Sequence, residues 1–498
     1  MSTYFRILIS TICWGALLVG CAVGPDFETP DSPQTTSYTE SVLPEKTVET
    51  KGPGGEVQSF LKGKDVSADW WHLFRSKPLN ELIERALKNS PNLQAAQAAL
   101  CQAEQNLQVS VASLFPFISA QPYLERQRFS GDIFGSTNAP PRTFNLYNAT
   151  VNVTYTLDVF GGIRRQIEAS EAQIDYQRFE VEATYLTLIS NVVTTAITEA
   201  SLRGQIQATE ELIALQDKEF KIIEQKFNLG GASQLDTLAQ KSQLDQTRAT
   251  LPPLKKQLSA TRHALAVLMG DLPSESCLPV FTLEDLTLPT DLPLSLPSSL
   301  VQQRPDVKAS EALLHSASAQ IGVATANLFP QFNFTGGYGW LTNQAESFFD
   351  PKHNVWNIIG TLVQPLFQGG SLLAKKRGAV AAFEQAFAQY RQTVLQAFQN
   401  VADTLKALEF DALQLQAQTE AEKAASGTLM LTKTQYNLGA VSYLNLIDAE
   451  RQYQQARIGR IQAQAARYAD TAALFQALGG GWWNRNPPCP IEPQKGEE

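Results

Sequence analysis

Five cysteines and four histidines are the side chains in this sequence best suited to catalysis or metal binding, and their spacing supports neither. His72, His263, His315 and His353 are scattered, and there is no CxxC pair and no metal-ligand spacing. No nucleophile–base pair and no paired acid site stands out. The chain reads as a non-enzyme that uses no cofactor and no metal. What stands out instead is a matched pair of stretches, Phe227–Gln240 (FNLGGASQLDTLAQ) and Tyr436–Asp448 (YNLGAVSYLNLID). In each, a long helical pattern runs into glycine, breaks, and a second helical pattern starts. Both are expected to be tips of long antiparallel helical hairpins. Three chains meeting at such tips would make the mouth of a tube.

The elements that must hold these tips come as a repeat. Ser90-Pro91 recurs as Arg304-Pro305, and Leu114-Phe115-Pro116 as Leu328-Phe329-Pro330, both 214 residues on. Asn228-Leu229-Gly230 recurs as Asn437-Leu438-Gly439, and Ala264-Leu265 as Ala473-Leu474, both 209 residues on. Length changes therefore fall in the middle of each copy, where loops tolerate them. Each copy opens with a helical seam, Leu93, Ala96, Leu100, Ala103 and Leu107 in the first, Val307, Ser310, Leu314, Ala317 and Ile321 in the second. Small residues on such a seam let helices approach closely. Pro116 and Pro330 end these helices.

Two strand patterns follow in each copy. In Asn148–Asp158, Ala149, Val151, Val153, Tyr155 and Leu157 alternate with asparagine and threonine, which suits a strand with one face in lipid and one in water. Phe332, Phe334, Tyr338 and Trp340 alternate in the same way, while Phe117–Arg128 and Val355–Leu366 are less regular. From Gly161 to Gly230 and from Gly370 to Gly439 are 69 residues each without proline. A helix of that length reaches ~100 Å at ~1.5 Å per residue. Return helices run towards Gly270 and Gly479, the first expected to break or kink at Pro252-Pro253. Ser233 and Asp236 have N-cap spacing.

The fold class expected is mainly α with a β part. Long helical hairpins and four strands per chain are read from the pattern; the family resemblance given below implies that they form a trimeric periplasmic α-barrel and one trimeric outer-membrane β-barrel. The trimer follows from counting, because transmembrane barrels need at least about eight strands and eight enclose too narrow a lumen for a large solute. The expected division is 1–20 signal peptide, 21–75 extended segment, 76–272 first repeat, 273–297 proline-rich connector, 298–480 second repeat and 481–498 tail.

Composition narrows the partners. Net charge is −9, and no basic block suggests nucleic acid. Arg6 and the apolar run Ile7–Val19 form a signal peptide, too short to span as a helix. It ends in Leu18-Val19-Gly20-Cys21, which resembles a bacterial lipoprotein cleavage box. Cys21 would become the lipidated first residue, with Ala22 after it favouring the outer membrane by the same resemblance. Cys101 reads as a small packed residue, and Cys277 and Cys489 as a possible periplasmic disulfide.

These residues resemble the outer membrane factor family, the TolC-like channels, and more closely the lipidated OprM/NodT-type efflux outlets. The resemblance covers nearly the whole mature chain. It rests on Cys21-Ala-Val-Gly-Pro-Asp-Phe-Glu-Thr-Pro30, Trp70-Trp71 ahead of Pro78-Leu79-Asn80-Glu81-Leu82-Ile83, Leu157-Asp-Val-Phe-Gly-Gly-Ile-Arg-Arg165, and Tyr436-Asn-Leu-Gly439 through Leu446-Ile-Asp-Ala449. It implies a homotrimeric passive duct through outer-membrane lipid, docked on a periplasmic adaptor and an inner-membrane pump of the resistance-nodulation-division type. It implies that Asp448 lines the closed periplasmic mouth and that Leu444 is its apolar constriction. Tyr436 is retained from the TolC-like lock, but Asn445 replaces a second aspartate and Val441 an arginine, which implies a looser or more apolar closure. Asn228, Leu229, Gly230, Asn437, Leu438 and Gly439 match tips on which adaptor hairpins dock.

Export of a protein through an ABC-type partner is the alternative within the duct reading, and a non-conducting lipid-anchored coiled-coil scaffold the alternative outside it. The lipid anchor is testable directly: Cys21→Ser is expected to abolish metabolic labelling with palmitate and to leave uncleaved precursor on a gel.

Overall fold

The computed structural model describes residues 22–130 and 140–485. The signal peptide, Cys21 and Cys489 lie outside the described residues. In chain order the elements are β1 (Ser59–Lys62), α1 (Lys77–Asn89), α2 (Pro91–Ala112), β2 (Phe117–Phe129), β3 (Arg142–Leu157), α3 (Gly162–Asn228) and α4 (Gln234–Leu268). Then come β4 (Asp291–Leu294), α5 (Pro297–Gln303), α6 (Pro305–Ala326), β5 (Gln331–Thr342), β6 (Asn354–Val363), α7 (Ser371–Asn437) and α8 (Tyr443–Ala477). Three helix pairs of the duplication match in length to the residue, while the opening pair differs, with 13 residues in α1 and 7 in α5. Helices α2 and α6 have 22 residues each, α3 and α7 67 each, and α4 and α8 35 each.

The chain clusters into two compact units. Among the described residues the first takes in 22–30, 99–177 and 309–390. Its centre is an antiparallel sheet in the order β2-β3-β5-β6. Register sorts the side chains into two faces. Ala120, Val151, Tyr338 and Trp356 form one cross-strand row, and Ile118, Val153, Gly336 and Ile358 the next row on that face. The opposite face carries Ser119, Asn152, Gly337 and Asn357 in one row. Thr156 Oγ1 donates to Asn333 Oδ1 at 2.8 Å on the same polar face. Because side chains alternate with period two, one register error would mix the faces. Strand β6 stops at Val363, short of the Leu366 expected, because Pro365 has no amide and biases the residue before it.

The sheet hands over to helix through Asp158. Its carboxylate accepts from the amides of Ile163 and Arg164 at 3.1 and 3.0 Å, covering donors that the start of α3 leaves unpaired. The chain's first described residues close on this junction. The Val23 amide donates to the Phe160 carbonyl at 3.1 Å. Arg165, 5% exposed, reaches Asp26 at 2.6 Å, Glu168 at 2.7 Å and the Val23 carbonyl at 3.3 Å. Gly24 lies so close to Gly322 that an added Cβ would fall 2.5 Å from its Cα, so only backbone fits there.

Among the described residues the second unit takes in 31–98, 178–308 and 391–485. Its core gathers Trp70, Phe74, Leu79, Ile83, Tyr468 and Phe475, with Trp70 stacked on Phe475 at 5.1 Å. Strand β1 pairs in parallel with β4, so part of the early chain and part of the proline-rich connector form one ribbon. Arg467 on α8 is fully buried. It donates to the carbonyls of Gly54 and Glu56 at 2.9 and 2.7 Å, to Thr47 Oγ1 at 2.9 Å and to Gln58 Oε1 at 3.3 Å. A buried guanidinium is tolerated because its donors find acceptors.

Two expectations are corrected. Of the break or kink expected at Pro252-Pro253, the break does not occur: α4 is one helix from Gln234 to Leu268. Each proline removes an amide from the ladder; the helix is buried at Leu244 and Thr247 before them and at Leu265 and Ala266 about three turns after. Cys101 is exposed, not packed. It follows Leu100 by one residue, which turns it about 100° off the seam. Cys277 is also exposed.

The arginine anchor carries a prediction. Arg467→Ala removes the donor to the Gly54 and Glu56 carbonyls and to Gln58 Oε1 and leaves Thr47 Oγ1 only the Gln58 amide, a loss of roughly 3 kcal/mol for a buried hydrogen-bonded charge. Limited proteolysis is expected to cut within residues 47–58 in the variant and to spare them in the wild type.

Candidate functional site at the hairpin tips

Both tips end in the same turn. The Gly230 amide donates to Phe227 and the Gly231 amide to Lys226, at 2.9 and 2.7 Å. The Gly439 amide donates to Tyr436 and the Ala440 amide to Gln435, both at 2.9 Å. Gly230 and Gly439 both have φ of 76°. This left-handed closure caps the last carbonyls of α3 and α7, and a residue with a Cβ resists it.

The turns differ in how the next helix begins. Ser233 Oγ accepts from the Asp236 amide at 3.1 Å, and Asp236 Oδ2 accepts from the Ser233 amide at 3.3 Å, a complete capping box. In the second tip, 209 residues on, Ser442 and Asn445 stand in these places. Ser442 Oγ donates to Asn445 Oδ1 at 2.6 Å, and its side chain accepts no cap bond.

Helix α8 is two-faced from its first turn. Tyr443, Leu446, Ile447 and Glu450 are buried, while Leu444 and Asp448 share the opposite, exposed face at 61% and about half exposure. Asp448 is paired with Arg451 one turn on, at 3.0 Å. The buried face packs into a cluster of Ile223, Tyr443, Leu446 and Ile447, edged by Ala232, Ala239, Leu429 and Tyr436. The Tyr436 ring lies 5.1 Å from that of Tyr443, and Lys226 Nζ sits 5.6 Å from its centre. Burial raises the pKa of both tyrosine hydroxyls, so neither ionises near neutrality. Asn228 and Asn437 are the last residues of α3 and α7, and Leu229 and Leu438 project from the turns at 87% and 79% exposure.

The structure thus brings Leu444, Asp448 and Asn445 onto the exposed start of one helix and places Tyr436 in the packing beneath. One further residue belongs with them. Leu235, 75% exposed, is the repeat partner of Leu444 by the 209-residue offset. That offset was sufficient to find it. Among the described residues no group of acids, histidines and cysteines could hold a metal, and no helix is long and apolar enough to cross a membrane.

An amphipathic four-stranded sheet joined to duplicated 67-residue helices defines a channel protein of the TolC type. Residues 82–271 and 296–480 match the outer membrane efflux protein family, and the chain belongs to it. It is 28% identical over 501 residues to the toluene efflux pump outer membrane protein TtgC of Pseudomonas putida, covering 99% of this chain and 100% of that one. It is 30% identical to the pyoverdine export outer membrane protein OpmQ of Pseudomonas putida, over 84% of this chain and 89% of that one. The solved outer-membrane channel OprN superposes with a TM-score of 0.83 at 26% identity, covering 93% of this chain and all of that one. The chain is therefore an outer-membrane efflux protein.

The unequal caps give a test. Ser233→Ala is expected to cost about 1 kcal/mol at the start of α4, and Ser442→Ala only a few tenths at the start of α8, because Ser442 accepts no cap bond. Amide hydrogen exchange in the two first turns would read the difference.

Proposed function

We propose that three copies of this chain form a passive exit duct that carries small toxic compounds from an inner-membrane pump, through a periplasmic adaptor, to the outside. The observation that carries this reading is the sheet. It has one apolar and one polar face, and its edge strands β2 and β6 are unpaired along their outer sides within the chain. Four strands do not close a barrel; three copies supply twelve, enough for a water-filled lumen. The polar rows of Asn152, Gly337 and Asn357 line that lumen, and the aromatic and branched residues face lipid.

Cys21 carries the lipid anchor. Leu444 and Asp448 form stacked apolar and acidic rings at the periplasmic mouth, which block by narrowness or favour cations. Asn445 lacks the charge for an ionic lock, so the closure rests on Leu444 and on the packing under Tyr436. The exposed Leu229 and Leu438 dock the adaptor. Small-molecule cargo is supported by TtgC and OpmQ, whose names give toluene and pyoverdine, and a pump of the resistance-nodulation-division type fits the lipidated form.

Purified trimer in planar bilayers is expected to show a small conductance that rises in Leu444→Ala and in Asp448→Ala. A wild type and variants that all fail to conduct would end the duct reading. Deleting the gene is expected to sensitise the host to dyes, detergents or antibiotics with an unchanged set of secreted proteins. A missing secreted protein with unchanged sensitivity would move the cargo to polypeptides.

A further inference from the structure

Two turns past the exposed start of α8, its buried face carries a carboxyl group. Glu450 is 1% exposed. It faces Glu219 of α3, within hydrogen-bonding reach of that second carboxyl. Lys433 of α7 donates to Glu219 Oε1 at 2.9 Å, and Gln216 Nε2 reaches Glu450 Oε2 at 3.5 Å. Gln240 of α4 ties in below, donating to the Gln216 carbonyl at 3.3 Å. Four helices therefore meet at this level. The other ionisable groups facing it are the hydroxyls of Tyr443 on α8 and Tyr436 on α7, and Asp236 on α4.

The charges and the hydrogen bonds both fall one proton short. Two carboxylates and one ammonium leave a net negative charge in a buried place, where like charges cannot both persist. Glu450 Oε1 and Glu219 Oε2 are also buried without any donor. A single proton between the two carboxyls neutralises the cluster and supplies the missing donor.

We infer that Glu450 holds a proton that it donates to Glu219, and that this proton-dependent tie pins α8, with Leu444 and Asp448 on it, against α3 and holds the mouth closed. The inference rests on the reading of the tips as the mouth of a duct. Glu450 is a positioning residue, acting on the constriction through the helix that bears it.

The sign follows from where the proton is held more tightly. Burial, and then the Glu219 carboxyl, push the Glu450 pKa up to about 9 in the packed cluster. An opened mouth wets Glu450 and returns it to the ordinary glutamate range. The closed form is favoured at low pH. It loses ground as pH rises from that range towards about 9, by up to ~10-fold per pH unit for each protomer. In E450Q the amide donates to Glu219 at every pH, so the tie stays made.

The test uses full-length wild type, E450Q and Leu444→Ala trimers in planar bilayers between pH ~5 and pH ~9. Wild-type opening is expected to rise with pH, and E450Q to stay closed with a flat profile. An infrared spectrum of wild type carrying isotope-labelled glutamate is expected to show a buried protonated carboxyl at neutral pH that E450Q lacks. An E450Q profile as steep as the wild type overturns the inference, and so does the absence of that band. Leu444→Ala separates the two levels of the argument. If it raises conductance while E450Q keeps the slope, the proton tie alone is wrong. If it leaves conductance unchanged, the mouth reading falls and the tie with it. Should E450Q fail to assemble, the wild-type band decides by its presence or absence.

Discussion

Every backbone amide and carbonyl of a strand in lipid must be paired, because the bilayer core offers no water to replace a missing partner. This chain meets that demand at three strand interfaces and leaves it open on the outer sides of β2 and β6. The apolar row of Ala120, Val151, Tyr338 and Trp356 cannot serve a monomer, which would expose both that row and two ladder edges. Closure by further copies satisfies edges and face together.

The duplication answers a second demand. A duct wall built from two hairpins needs tips that finish together, and the hairpins are equal to the residue in both long and return helices. Their turns share the same glycine conformation. On this common backbone the side chains have diverged. Asp236 completes a capping box, where Asn445 only receives a hydroxyl. Ala239 packs at the edge of the core, while its repeat partner Asp448 is an exposed acid paired with Arg451. The two copies share the geometry that packing requires and differ in the side chains set on it.

Much of this was legible in the sequence where one period dominated. The long helices announced themselves by 69 proline-free residues between glycines, and β3 by strict alternation from Ala149 to Leu157. The ribbon of β1 and β4 was not legible, because each strand is four residues long and its partner lies more than 200 residues away. That α4 continues through Pro252 and Pro253 without a break was not legible for a related reason. Proline's local penalty is visible in the sequence, and the burial of Leu244, Thr247, Leu265 and Ala266 elsewhere along the helix is not.

The same division holds at the tips. Spacing alone placed Leu444, Asn445 and Asp448 at the start of a helix after a glycine turn, because capping and turn chemistry act over four or five residues. Which face of that helix is buried, and that Glu450, Glu219 and Lys433 meet behind it, was decided only by the packing of α3, α7 and α8. Glutamates at 219 and 450 carry no mark in the sequence; an acid becomes a proton holder only when neighbours remove its water. Local chemistry and periodicity thus determined the elements and their ends. Long-range packing determined which charges are buried together, because burial is a property of the assembled helices and of no single one.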